Sequence, residues 1–135
     1  MAVDENHPEV GDEITLEQFS TLPYLATSSG HRRSLAEMQL DFLGVPRNTE
    51  ITAGFGLAPF LLRGTRLITL VHERLALHIG EAAGIRLLEP PIPRLQPITE
   101  IMAWTSRTDQ DAGHRWLRDR LLDLAGQQRP SGPSA

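Results

Sequence analysis

The chain has 135 residues, 40% of them hydrophobic and 22% charged, which fits one globular domain with a real core and excludes disordered or collagen-like sequence. It has no Cys, so disulfides, thiolate metal sites and thiol nucleophiles are excluded together. A net charge of −4 argues against a nucleic-acid surface. No apolar run approaches the roughly 18 residues of a membrane helix, and the acidic start lacks signal-peptide features, so the expected location is the cytoplasm, with no membrane contact.

Residues 1–13 read as an irregular lead-in, acidic at Asp4, Glu5, Glu9, Asp12 and Glu13. A helical turn is predicted over 14–19, with Thr15 as its N-cap. Pro23 to Thr27 is a strand, and Ser28-Ser29-Gly30 ends it. Leu35, Met38, Phe42 and Leu43 recur at helical spacing over 33–43, and Gly44 stops that helix. A second strand covers 48–53 and is broken by Gly54 and Gly56. A short helix follows at 57–63, with Pro59 in its first turn and Gly64 behind it.

Leu67 to Val71 is the most β-rich and apolar segment, as a buried parallel strand should be. A helix over 73–82 turns Leu75, Ile79 and Ala82 or Ala83 inward, and Gly84 caps it. Ile85 to Leu88 is a fourth strand. Alternating strands and helices with short links predict an α/β unit with a parallel sheet. Pro90, Pro91, Pro93 and Pro97 then impose an extended crossover. A strand over 98–104 and a helix over 109–125, capped by Asp109 and striped with Trp116, Leu117, Leu121 and Leu124, complete the pattern. The end from 126 to 135 reads as a disordered tail. One strand and one helix cannot bury their apolar faces alone, so this last pair calls for a partner.

Several segments stand in a telling order and spacing: His7-Pro8, Leu16-Glu17-Gln18-Phe19, Pro23-Tyr24-Leu25 and Ser29-Gly30-His31, then Phe55, Ala58-Pro59 and Leu67-Ile68-Thr69-Leu70. Glu73-Arg74-Leu75-Ala76, Met102-Ala103-Trp104 and Asp111 to Arg118 continue the series. Together they resemble the C-terminal part of the effector-binding domain of LysR-type transcriptional regulators, in the subgroup that answers flavonoids and small aromatic acids. The resemblance spans residues 7–125. It implies a lobe of the type 2 periplasmic-binding-protein fold with a parallel or mixed sheet over 14–89, a return crossover with the final strand and helix of a partial second lobe over 90–125, and no DNA-binding domain. The sequence departs from the family at His72, where Pro is usual, at Thr105, where His is common, and at Gly54, where some aromatic-acid sensors carry His.

Two clusters could carry function. Ser28, Ser29, Gly30 and His31 lie between a strand and a helix start, where free N–H groups and hydroxyls hold a carboxylate. By resemblance, His31 lines the effector cleft. The alternative is a helix cap beside a solvated loop histidine. Gly54 and Phe55 end another strand and, by resemblance, face the same cleft, where Phe55 would stack on an aromatic effector. The alternative is a core Phe flanked by turn glycines. The third glycine of a dinucleotide fingerprint is missing. His78, Glu81 and His72 lack further ligands for a metal.

Trp104 and Trp116 are expected to be packing residues, and the Arg115, Arg118 and Arg120 run a solvated face. The function expected is small-molecule sensing by a fragment of a LysR-type regulator, through ligand-dependent lobe closure, without catalysis, cofactor, metal or DNA contact from this chain. The expected partners are an aromatic or carboxylate effector and either a second copy or an intact regulator. An interaction module, a gene remnant and a small hydrolase using Ser29 and His31 are the alternatives.

Overall fold

The computed structural model describes residues 1–127; the predicted tail from 128 onward lies outside the described residues. The chain forms two compact units, Met1–Ile98 and a second from Thr99 onward.

The first unit is a six-stranded mixed sheet: β1 (Ala2–Asp4), β2 (Pro23–Ser29), β3 (Arg32–Arg33), β4 (Asn48–Gly54), β5 (Ile68–Thr69) and β6 (Ile85–Leu87). β4, β2 and β5 run parallel. The lead-in expected to be irregular contains β1, which lies in the middle of the sheet, antiparallel to both β5 and β6. Three residues make a strand there because both edges are taken and Ala2 and Val3 are wholly buried. Their side chains alternate between the two cores, Val3 into one and Ala2 into the other.

The first core packs α1 (Leu16–Thr21) and α2 (Leu35–Phe42) on the sheet through Phe19, Tyr24, Leu40, Ile68 and Leu70. α1 begins with a capping box: Thr15 accepts the Gln18 N–H, and the Gln18 side chain accepts the Thr15 N–H. The proline-rich stretch, expected to be extended, instead bends at Pro91 and turns at Pro93-Arg94, where the Leu95 N–H donates to the Ile92 carbonyl, and it lays Ile92 into this core. Gln96 is tied to Gln39 of α2 by two reciprocal hydrogen bonds. The second core packs α3 (Glu73–Ala83) on the opposite face through Ala76 and Ala83, with Leu62 after a 3-10 turn at Ala58–Leu61.

α2 overturns the expected inward stripe. Leu35, Met38 and Phe42 are exposed, Phe42 by 87%, and Leu40 and Glu37 face inward instead. α3 ends on Gly84 at φ 65°, a left-handed C-cap. A Cβ there meets only the flexible Arg63 side chain, so the penalty of Gly84→Ala is backbone strain. It should lower stability by about 1–2 kcal/mol in urea melts without changing the slope.

In the second unit, no strand forms over 98–104. Its apolar residues have no strand to pair with among the described residues, and pattern alone does not hold a strand. A 3-10 turn at Ser106–Thr108 precedes α4 (Ala112–Gln127), which runs into the segment expected to be tail. Asp111, not Asp109, caps α4 by accepting the His114 N–H. Asp109 accepts the Trp104 indole N–H instead, and the Arg118 guanidinium lies 4.9 Å from the Trp104 ring centre. Trp104 and Trp116 are exposed, against the expected packing role, as are Leu117, Leu121 and Leu124.

Candidate functional site

Parallel strands whose carboxyl ends lie side by side leave a crevice where polar backbone and loop residues collect. Here β4, β2 and β5 end at Gly54, Ser29 and Thr69. Ser28 is in register with Gly54. The Ser28 carbonyl accepts the Phe55 N–H at 3.0 Å, and the Ser28 hydroxyl donates to the Ala53 carbonyl at 3.2 Å. Ser28, Gly54 and Phe55 are therefore brought together, although they are far apart in sequence.

The Phe55 side chain is half exposed and lies against His72, ring centres 5.9 Å apart at 36°. His72 follows β5 and is the N-cap residue of α3, but its side chain makes no capping bond. The imidazole faces Phe55 instead. Three strand ends thus contribute to one cluster: Ser28 and Ser29, Gly54 and Phe55, and His72. Sequence reasoning treated His72 only as a departure from the family and a weak metal ligand. Its place three residues beyond the end of β5 was the available signal.

The segment from Ser28 to His31 differs from the expectation. It does not lead into a helix. Gly30 and His31 form the two-residue turn of a hairpin between β2 and β3, pairing Ser29 with Arg32 and Ser28 with Arg33. Gly30 takes φ 62° as the first turn residue, which fits the right-handed twist of the strands. Ser28 and Ser29 cap nothing; the N-cap of α2 is Ser34, which accepts the Glu37 N–H. Ser28 and Ser29 therefore do not stand beside free helix N–H groups, because the chain turns back before α2 begins. His31 is exposed at the hairpin tip. Arg33 is paired with Asp41, whereas Arg32 has no carboxylate partner among the described residues. Among the described residues, the exposed cation left without a carboxylate at the tip is thus Arg32, next to the exposed His31.

Beneath the hairpin lies a buried polar network. Glu37 is 1% exposed. One of its oxygens accepts the Tyr24 hydroxyl at 2.7 Å and the Thr27 N–H at 3.1 Å, and the other accepts Arg47 Nε at 3.0 Å. Arg47 also reaches Asp41 at 2.7 Å. Burial, reinforced by the Glu37 charge, pushes the Tyr24 hydroxyl far above its ordinary range, so it stays a donor. The guanidinium groups of Arg47 and Arg33 hold the Asp41 carboxyl below the usual carboxylate range.

No protein-family model matches the chain. It is similar to nodulation protein D 3 of Rhizobium meliloti, 30% identical over 125 residues, covering 90% of this chain and 39% of that protein. Nodulation protein D 1 of Bradyrhizobium diazoefficiens is 32% identical over 130 residues, covering 90% of this chain and 41% of the relative. The HTH-type transcriptional regulator SyrM of Rhizobium meliloti is 28% identical over 123 residues, 89% of this chain and 37% of the relative. The chain thus spans about two fifths of the length of these curated relatives.

Among solved structures, the regulatory domain of MexT, a transcriptional activator in Pseudomonas aeruginosa, matches with a TM-score of 0.62 at 23% identity, over 89% of this chain and 58% of that one. A probable transcriptional regulator from the same organism matches at TM-score 0.62 and 20% identity, over 67% of this chain and 31% of that one. The shared fold is the mixed α/β fold of LysR-type regulatory domains, related to the type 2 periplasmic binding proteins. The curated relatives are LysR-type regulators of transcription.

Proposed function

We propose that this chain is an effector-sensing part of a LysR-type transcriptional regulator and that its ligand is a planar aromatic acid. The observation that carries the reading is the Phe55–His72 ring pair at the ends of three parallel strands, with the Phe55 N–H bonded to the Ser28 carbonyl of the neighbouring strand. An aromatic ligand adds its face to Phe55 in an offset stack. Its carboxylate would be met by the Arg32 guanidinium and the polar groups of Ser29 and His31 at the hairpin. Flavonoids, the ligands suggested by the sequence resemblance, share the flat ring and carry phenolic oxygens in place of the carboxylate.

Binding alone does the work. Its energy shifts the regulator between open and closed forms by as much as the ligand prefers one over the other, and that difference is what transcription reads. A hydrolase is disfavoured: Ser29 ends a strand and His31 lies in the hairpin turn that follows, with no hydrogen bond between their side chains among the described residues. No described helix is long and apolar enough to cross a membrane.

The test is thermal unfolding with benzoate, 4-hydroxybenzoate and a flavone as probes. A ligand at ten times its Kd adds about 1.4 kcal/mol, a rise of roughly 5 °C. A melting temperature that stays flat with all three probes at millimolar levels counts against the reading.

A second reading, an interaction module that pairs with itself or with an intact regulator, is favoured by α4. Trp116 is 64% exposed on it, and Leu117, Leu121 and Leu124 are exposed as well. A helix with this much bare apolar surface is stable when something covers it. Light scattering should then show mass rising with concentration, and Leu121→Asp should abolish the rise. A monomer at every concentration contradicts this second role.

A further inference from the structure

β2 has an unusual edge. On one side β4 pairs with it from Pro23 to Ser28. On the other, β5 pairs only at Tyr24, and β3 begins only at Ser28. The residues between them need substitutes for ladder partners, because buried backbone groups go unpaired only at a cost. The Leu25 carbonyl takes the Thr69 hydroxyl at 2.7 Å. At Thr27, hairpin pairing with Ser34 begins: the Ser34 N–H donates to the Thr27 carbonyl at 3.1 Å. In an antiparallel pair the return bond would run from the Thr27 N–H to the Ser34 carbonyl. That carbonyl is already committed, as the N-cap acceptor of the Met38 N–H at 3.0 Å.

Glu37 resolves the conflict. Ser34-Leu35-Ala36-Glu37 has the residue types of a capping box, in which the glutamate would turn back to the Ser34 N–H. Here the Ser34 N–H is spent on Thr27, and the Glu37 carboxylate takes the Thr27 N–H instead. Arg47 on its other oxygen and the Tyr24 hydroxyl hold it in that orientation. Thr27 is followed directly by Ser28, whose carbonyl holds the Phe55 N–H.

We propose that Glu37 is a positioning residue for the ligand site: its buried carboxylate replaces the missing ladder acceptor at Thr27 and thereby fixes Ser28 and Phe55 at the strand ends. The site it serves is the one proposed above, so the role rests on that reading. It also links the site to α2, whose other face carries the exposed Leu35, Met38 and Phe42.

Native-state amide exchange on the full chain tests the proposal without any ligand. The readout is the protection of Thr27 and Phe55 relative to Val3 of β1. Glu37→Asp keeps the charge but withdraws the carboxylate by one methylene, about 1.5 Å. Thr27 and Phe55 should then lose at least tenfold more protection than Val3. Glu37→Gln keeps an acceptor at full reach, so all three should fall by the same factor.

A uniform fall in Glu37→Asp would overturn the proposal, since it would mean lost global stability only. So would a selective tenfold loss in Glu37→Gln, since the charge and not the reach would then be decisive. If Glu37→Asp does not melt cooperatively, the double variant Glu37→Met with Arg47→Met replaces it. Cores often tolerate an apolar swap of a buried ion pair, and this one still removes the Thr27 acceptor. The same selective loss is expected, and its absence overturns the proposal. Failure of every probe to bind would sink the ligand reading alone, leaving the exchange comparison to decide whether Glu37 holds these strand ends.

Discussion

Glu37→Ala should cost about 3–5 kcal/mol of stability, read from urea unfolding, because it removes one member of a buried ion pair and leaves the other behind. Arg47, its side chain 9% exposed, keeps only Asp41 as a charged partner among the described residues. The Tyr24 hydroxyl and the Thr27 N–H lose their acceptor in the same step. Against a total stability of roughly 5–15 kcal/mol for a domain, such a loss is a large fraction. Tyr24→Phe is the control: it removes one hydrogen bond and keeps the ring, so about 1–1.5 kcal/mol is expected. A loss below 1 kcal/mol for Glu37→Ala would mean that water reaches the network and solvates its members.

Phe55→Ala should have the opposite profile, with stability nearly unchanged and ligand affinity lost. The side chain is 46% exposed and belongs to neither core cluster, so its removal should shift unfolding by less than about 0.5 kcal/mol. A stacked ring contributes about 0.5–1.5 kcal/mol beyond the area it covers, and that area adds about 1 kcal/mol more. Together these predict roughly a ten- to seventyfold rise in Kd for benzoate, measured by titration calorimetry. His72→Ala removes the second ring and should act in the same direction, more weakly. Equal affinity in the wild type and Phe55→Ala would move the ligand away from these strand ends.

Much of this arrangement was legible in the residues. Thr15 as a cap, the stops at Gly44 and Gly84, and the strands near Pro23 and Asn48 all follow from local chemistry, and the structure has them. The resemblance to LysR-type regulators rested on order and spacing, and the curated relatives lie in that family.

What could not be read depended on partners distant in sequence. β1 is a strand because β5 and β6 hold it on both sides; three residues carry no period of their own. The 98–104 segment had the pattern of a strand and lacks a neighbour among the described residues, so the pattern was not enough. On α2, a periodicity count puts Leu35, Met38 and Phe42 inside and Glu37 outside. The structure reverses this because Tyr24, Thr27 and Arg47 supply what a carboxylate needs in order to be buried. The site was half legible for the same reason. Ser28 and Phe55 each lie at a strand end that the sequence marks, but their meeting depends on the β2–β4 register, and His72 joins through β5.

The most direct test is a titration of the isotope-labelled chain with benzoate, followed by amide and side-chain NMR shifts. The predicted result is a saturable change at Ser29, Phe55 and His72. Shifts confined to other surfaces, or none up to tens of millimolar benzoate, would contradict an aromatic-acid site at the ends of β2, β4 and β5.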